Sequence, residues 1–169
     1  YEEIEGLARS IVDDGMDKID QSLADVLLNG FSSSAYTDVY GLSVTPTGPD
    51  GLALFSASHT NGATATTFSN LINDGSNNNP ALSRAAIVKT RALGLVYSDP
   101  NGIIRPIKYD TVIVAPSNED LAERLLFSTN IPGEANNDVN ALKGKIKNLK
   151  VWERLETRGS DATDTKAYW

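Results

Sequence analysis

The stretch Thr111-Val112-Ile113-Val114-Ala115-Pro116-Ser117-Asn118-Glu119-Asp120-Leu121-Ala122-Glu123-Arg124-Leu125-Leu126 decides the fold class. Its first five residues form a continuous apolar run, the pattern of a strand buried on both faces. Pro116 ends that run, since it has no N–H to give to a ladder. Ser117 and Asp120 then make an acidic variant of the capping box, and Leu121, Ala122, Leu125 and Leu126 mark one face of a helix reaching about Ser128. A strand followed at once by a helix predicts mixed α and β structure.

Upstream, Ser83 is a good N-cap for a helix carrying Ala85, Ala86, Ile87, Val88, Ala92 and Leu93 and ending near Gly94. Asp99-Pro100-Asn101-Gly102 is a turn, and Ile103-Ile104-Arg105-Pro106-Ile107 reads as extended. Downstream, Ile131-Pro132-Gly133-Glu134-Ala135-Asn136-Asn137-Asp138 is a polar loop, Lys145 to Val151 a strand, Arg158 to Asp161 a turn, and Lys166-Ala167-Tyr168-Trp169 a final strand. The sum is an α+β fold with a mixed sheet flanked by helices.

The clearest single element lies at the beginning. From Glu2 to about Asn29, Ile4, Leu7, Ala8, Ile11, Val12, Ile19, Leu23, Val26 and Leu27 recur at three- and four-residue steps, which predicts one long amphipathic helix. Its other face is acidic, with Glu5, Asp13, Asp14, Asp17, Asp20 and Asp25, and Asn29-Gly30 is expected to supply a left-handed stop. At about 1.5 Å per residue the helix is roughly 40 Å long, more than one small domain needs for its own core. Phe31 to Pro80 changes to Ser, Thr, Asn and Gly text around one apolar island, Leu52-Ala53-Leu54-Phe55, and is expected to be loops that pack against neighbouring chains.

Composition narrows the function. A net charge of −7 over 169 residues disfavours a groove that tracks phosphates. No cysteine means no disulfide framework and no thiolate metal site, and no apolar run approaches the length needed to span a bilayer. The chain opens on Tyr1 and closes on Trp169, aromatic ends that suggest a piece of a longer parent.

His59 is the single histidine, with Asp50, Ser56 and Ser58 nearby in sequence. A serine hydrolase using Ser56 or Ser58 is one alternative, but no Gly-x-Ser-x-Gly elbow presents a nucleophile. The Asn73 to Asn79 loop offers oxygen donors of the kind calcium takes, without the twelve-residue pattern and its terminal Glu. Lys143, Lys145, Lys147 and Lys150 form the basic cluster, read as a solvated strand face that also allows contact with DNA. A second alternative, an extracellular binding module, rests on the Thr- and Asn-rich loops. No catalytic, cofactor-binding or metal residue is assigned.

Three stretches in order resemble the major capsid proteins of tailed phages and prophages, especially the Mu-like head subunits with the Hong Kong 97-type shell fold. They are Gly51-Leu52-Ala53-Leu54-Phe55-Ser56-Ala57-Ser58-His59; Leu82-Ser83 through Asp99 to Gly102, Asp110 to Pro116 and Leu121 to Leu126; and Asn140 to Lys145 followed by Asp161 to Asp164 and Ala167-Tyr168-Trp169. The resemblance implies a structural subunit, not an enzyme, that forms pentamers and hexamers of an icosahedral head, in the virion and, during assembly, the host cytoplasm. It implies that residues 1–30 are the spine helix of the peripheral domain and 31–169 mainly the axial domain. The N-terminal arm, extended loop and last peripheral strand of such a parent would lie outside this chain. Ile131, Pro132, Gly133, Glu134, Asn136, Asn137 and Asp138 become the candidate subunit-contact loop. Implied partners are other copies of the chain, with scaffold, portal or decoration proteins and non-specific proximity to packaged DNA; no membrane and no cofactor is implied.

Overall fold

The computed structural model describes residues 2–60, 67–72, 79–99, 102–133 and 138–157. In chain order the elements are α1 (Glu2–Asn29), β1 (Tyr36–Thr37), β2 (Ser43–Val44), β3 (His59–Thr60), β4 (Thr67–Phe68), α2 (Arg84–Leu95), β5 (Thr111–Val114), α3 (Glu119–Phe127), β6 (Asn148–Val151) and the single turn α4 (Arg154–Thr157). The class is α+β. Among the described residues the strands form three separate two-stranded pairs, not the one mixed sheet expected. The chain divides into two compact units, Tyr1–Phe55 and Ser56–Trp169.

In the first unit α1 spans the predicted range. Its end differs from the expected left-handed stop, because Gly30 does not adopt positive φ. Glycine serves here by its missing side chain: a Cβ at 30 would lie 2.9 Å from both Phe55 Cε2 and the Val26 carbonyl oxygen. The Phe55 N–H donates to the Gly30 carbonyl at 2.8 Å, and the Phe31 and Phe55 rings pack tilted by 38° with centroids 4.8 Å apart. The apolar island thus returns to the helix end. Between them lie tight hairpins where unpatterned loops were expected. β1 and β2 pair antiparallel around a turn in which Asp38 Oδ1 accepts the N–H groups of Tyr40 and Leu42 and Gly41 takes φ +79°. Strands two residues long carry no readable alternation.

The second unit holds the core. Leu82, Ile87, Val112, Val114, Ala122, Leu125, Leu126, Leu142 and Ile146 are buried together, with Leu121, Leu149 and Val151 packed against them. β5 and β6 run parallel, in register from Thr111↔Asn148 to Val114↔Val151, and α3 lies in the crossover that parallel pairing requires. Residues alternate across the pleat, so Val112 and Val114 face the core while Thr111 and Ile113 face outward. The continuous apolar run was expected to be covered on both sides; instead Ile113 is 42 % exposed.

Ser83 caps α2 as expected, its hydroxyl accepting the Ala86 N–H at 3.2 Å. Gly94 sits within the last turn of α2 and admits Tyr109: a Cβ there would lie 2.6 Å from the ring and 2.8 Å from the Ile107 carbonyl oxygen. The capping box expected at Ser117 does not form. Pro116–Asn118 makes a 3₁₀ turn that moves the N-cap of α3 to Asn118, and the Ser117 N–H donates instead to Glu156 Oε2 at 3.2 Å. β6 begins at Asn148, not Lys145, because residues 141–146 form turns. The expected turn at Arg158 to Asp161 and the final strand lie outside the described residues.

Candidate functional site

The loop singled out from sequence springs from the end of α3. Asn130 and Val139 bridge antiparallel, and the Ile131 N–H donates to the Asp138 carbonyl at 2.8 Å. Ile131 and Pro132 are partly covered, Gly133 and Asp138 are exposed, and Gly133 turns the chain with φ +83°. Glu134, Asn136 and Asn137 lie outside the described residues. Below the loop, the Asn140 side chain, 3 % exposed, is the anchor. Its Nδ2 donates to the Leu125 carbonyl at 2.9 Å and to the Ser128 carbonyl at 3.3 Å, and its Oδ1 accepts the Leu142 N–H at 3.1 Å. Its own N–H donates to the Thr129 carbonyl at 2.9 Å. One buried amide therefore ties the last turn of α3, the loop stem and the following turn together.

Val139, beside this anchor, is 76 % exposed.

A second feature is larger. Ile4, Leu7, Ile11, Val12, Met16, Ile19 and Leu23 of α1 are all between 60 and 72 % exposed. From Glu3 to Met16 every residue is exposed, so this stretch forms a helix with neither face covered. Isolated helices of that length are marginal in water. Burying seven such side chains releases on the order of 10 kcal/mol gross, comparable with the roughly 4–15 kcal/mol that association costs. Burial of the stripe alone would therefore about balance that cost.

The hydrolase alternative gains no support. His59 is 8 % exposed, on β3, with its ring stacked on Phe68 at 5.5 Å. The Ser56 hydroxyl accepts the Ser58 N–H at 3.2 Å, and Asp50 Oδ1 accepts the Leu52 N–H in a turn of the other unit. Among the described residues no three His, Asp or Glu side chains converge on a metal position, and no helix is long and apolar enough to cross a membrane. The calcium-like loop lies almost wholly outside the described residues.

Burial raises the Tyr36 phenol above its ordinary range, with Asp25 and Asp38 adding to the effect; burial does the same to Tyr97, beside Tyr109.

A scan against protein-family models found no match, and searches of curated proteins and of solved structures found no similar chain.

Proposed function

We propose that the chain is a structural subunit of the head of a tailed double-stranded DNA phage or prophage, of Hong Kong 97 type. It self-assembles into pentamers and hexamers and performs no catalysis. The observation that carries this reading is α1: seven of its apolar side chains stand in solvent, and from Glu3 to Met16 the helix has no covered face. A subunit whose surface is completed by its neighbours has this character, and ring contacts need two different patches on each copy. The ordered resemblance of the three sequence stretches adds the particular kind of assembly.

In this reading residues 1–30 are the spine helix of the peripheral domain, and 31–169 belong mainly to the axial domain. The loop from Ile131 to Asp138 gathers at the five- and six-fold axes, where the Asn140 anchor keeps its stem rigid. Scaffold, portal or decoration proteins are the further partners. The protein resides in the virion, and in the host cytoplasm during assembly.

Light scattering and negative-stain microscopy of the protein expressed alone test the reading. Rings or closed shells are expected. A monomer that persists at high concentration and in the presence of neighbouring gene products sinks it.

A further inference from the structure

We propose that α1 of one copy lies across the open face of the β5–β6 sheet of a second copy, its carboxylates against the lysines that border the sheet. The inference rests on the reading of the chain as a self-assembling subunit and names the surfaces that reading needs.

The donor surface has a repeating text. Val12-Asp13, Met16-Asp17 and Ile19-Asp20 each place an acid one residue after an exposed apolar side chain, about 100° around the helix, so the acids border the apolar stripe along one side. Over its whole length α1 carries eight carboxylates against Arg9 and Lys18.

The receiving surface is the complement. Parallel sheets are ordinarily covered on both faces, and Val112 to Val114 has the composition of such a strand. Yet Ile113 stands open, and its register partner on β6 is Lys150, exposed on the same face. An apolar side chain beside a cation on the sheet thus meets an apolar side chain beside an anion on the helix. Lys143, Lys145 and Lys147, all exposed, extend the positive charge along the turn that leads into β6, and no acid interrupts residues 143–150.

Charge also selects the occupant. Two α1 helices, each carrying eight carboxylates against two basic side chains, would repel one another when paired through their stripes. The Lys143 to Lys150 segment is the basic cluster that the chain itself can offer, so a second copy supplies the complement that another α1 cannot. Helix on sheet is moreover a standard layer packing.

The chain has no cysteine, which allows a direct test. Ile19→Cys in one preparation and Ile113→Cys in another, mixed at about 0.15 M salt and mildly oxidised, are expected to give a disulfide-linked pair of different chains. In parallel, Asp17→Lys with Asp20→Lys, and separately Lys147→Glu with Lys150→Glu, are each expected to weaken self-association about tenfold or more by sedimentation velocity. Mixing the two reversed variants is expected to restore it. Circular dichroism of each variant checks that the fold is kept.

Several results would overturn the proposal. If the chain assembles but the reversals change nothing, this interface is wrong while the assembly reading stands. If the unaltered chain stays monomeric at about 100 µM, the assembly reading itself fails. If the mixed preparations give no link while a double variant, Ile19→Cys with Ile113→Cys, links only within single chains, α1 covers its own sheet and the proposal fails. Lysine reversals that abolish retention of duplex DNA with assembly unchanged give that face to nucleic acid.

Discussion

Asn140 is held at 3 % exposure by bonds to the main chain of Leu125, Ser128 and Leu142 and to the Ser128 hydroxyl. Asn140→Ala leaves the Leu125 carbonyl and the Leu142 N–H without this partner in the interior, which costs about 2–3 kcal/mol. The expected outcome is a lower denaturation midpoint by urea titration. Asn140→Asp should be worse at neutral pH, because it removes the donor and buries a charge. Tyr36 and Tyr97 give a test at high pH. Their phenols ionise later in the folded chain than in the unfolded one, so the folded state binds more protons once pH passes about 10. Stability from these groups is complete below that pH and falls as pH rises toward the folded values. Absorbance titration of the phenolates should show a late fraction that Tyr36→Phe and Tyr97→Phe each reduce. The anchor role of Asn140 was not legible in sequence. Asn136, Asn137 and Asn140 are chemically alike, and only the long-range closure of α3 onto the loop stem distinguishes the last.

At the scale of elements, α1 was legible from Glu2 to Asn29 because twenty-eight residues give many turns over which a 3.6-residue period accumulates. α2 and α3 followed from shorter but consistent faces. The strands were harder. β1 to β4 have two residues each and owe their existence to turns such as that of Asp38 to Gly41. Ile113 misled for a different reason: its apolar character was read correctly, while the described residues leave it 42 % exposed. Gly15 offers the test proper to this scale. It lies in the interior of the uncovered half of α1, and a Cβ there would meet nothing within 4 Å. Gly15→Ala therefore adds helix propensity without overpacking, about 0.5–1 kcal/mol. Slower amide hydrogen exchange across residues 7 to 19 and a modest gain in helical ellipticity are expected. Unchanged exchange would mean that the stretch is already held by association rather than by its own propensity.

For the whole molecule, the net charge of −7 opposes every encounter between copies, whereas at the proposed interface α1 and the lysine segment would attract locally. The two effects have different ranges, and salt separates them. At about 0.01 M the Debye length is roughly 30 Å, comparable with the molecule, so the summed negative charge dominates and association is weakest. At about 0.15 M the length falls to roughly 8 Å: whole-molecule repulsion is screened, while carboxylate–ammonium contacts a few ångströms apart persist and apolar burial is unaffected. Near 1 M the local pairs are screened as well. Association through α1 on the sheet is therefore expected to pass through a maximum near physiological salt. Self-pairing of α1 helices predicts something else, because screening removes only repulsion and leaves the apolar gain, so association would rise steadily to 1 M. Sedimentation velocity across that salt range at fixed protein concentration distinguishes a peak from a steady rise, and a steady rise would favour helix pairing over the sheet as the seat of α1.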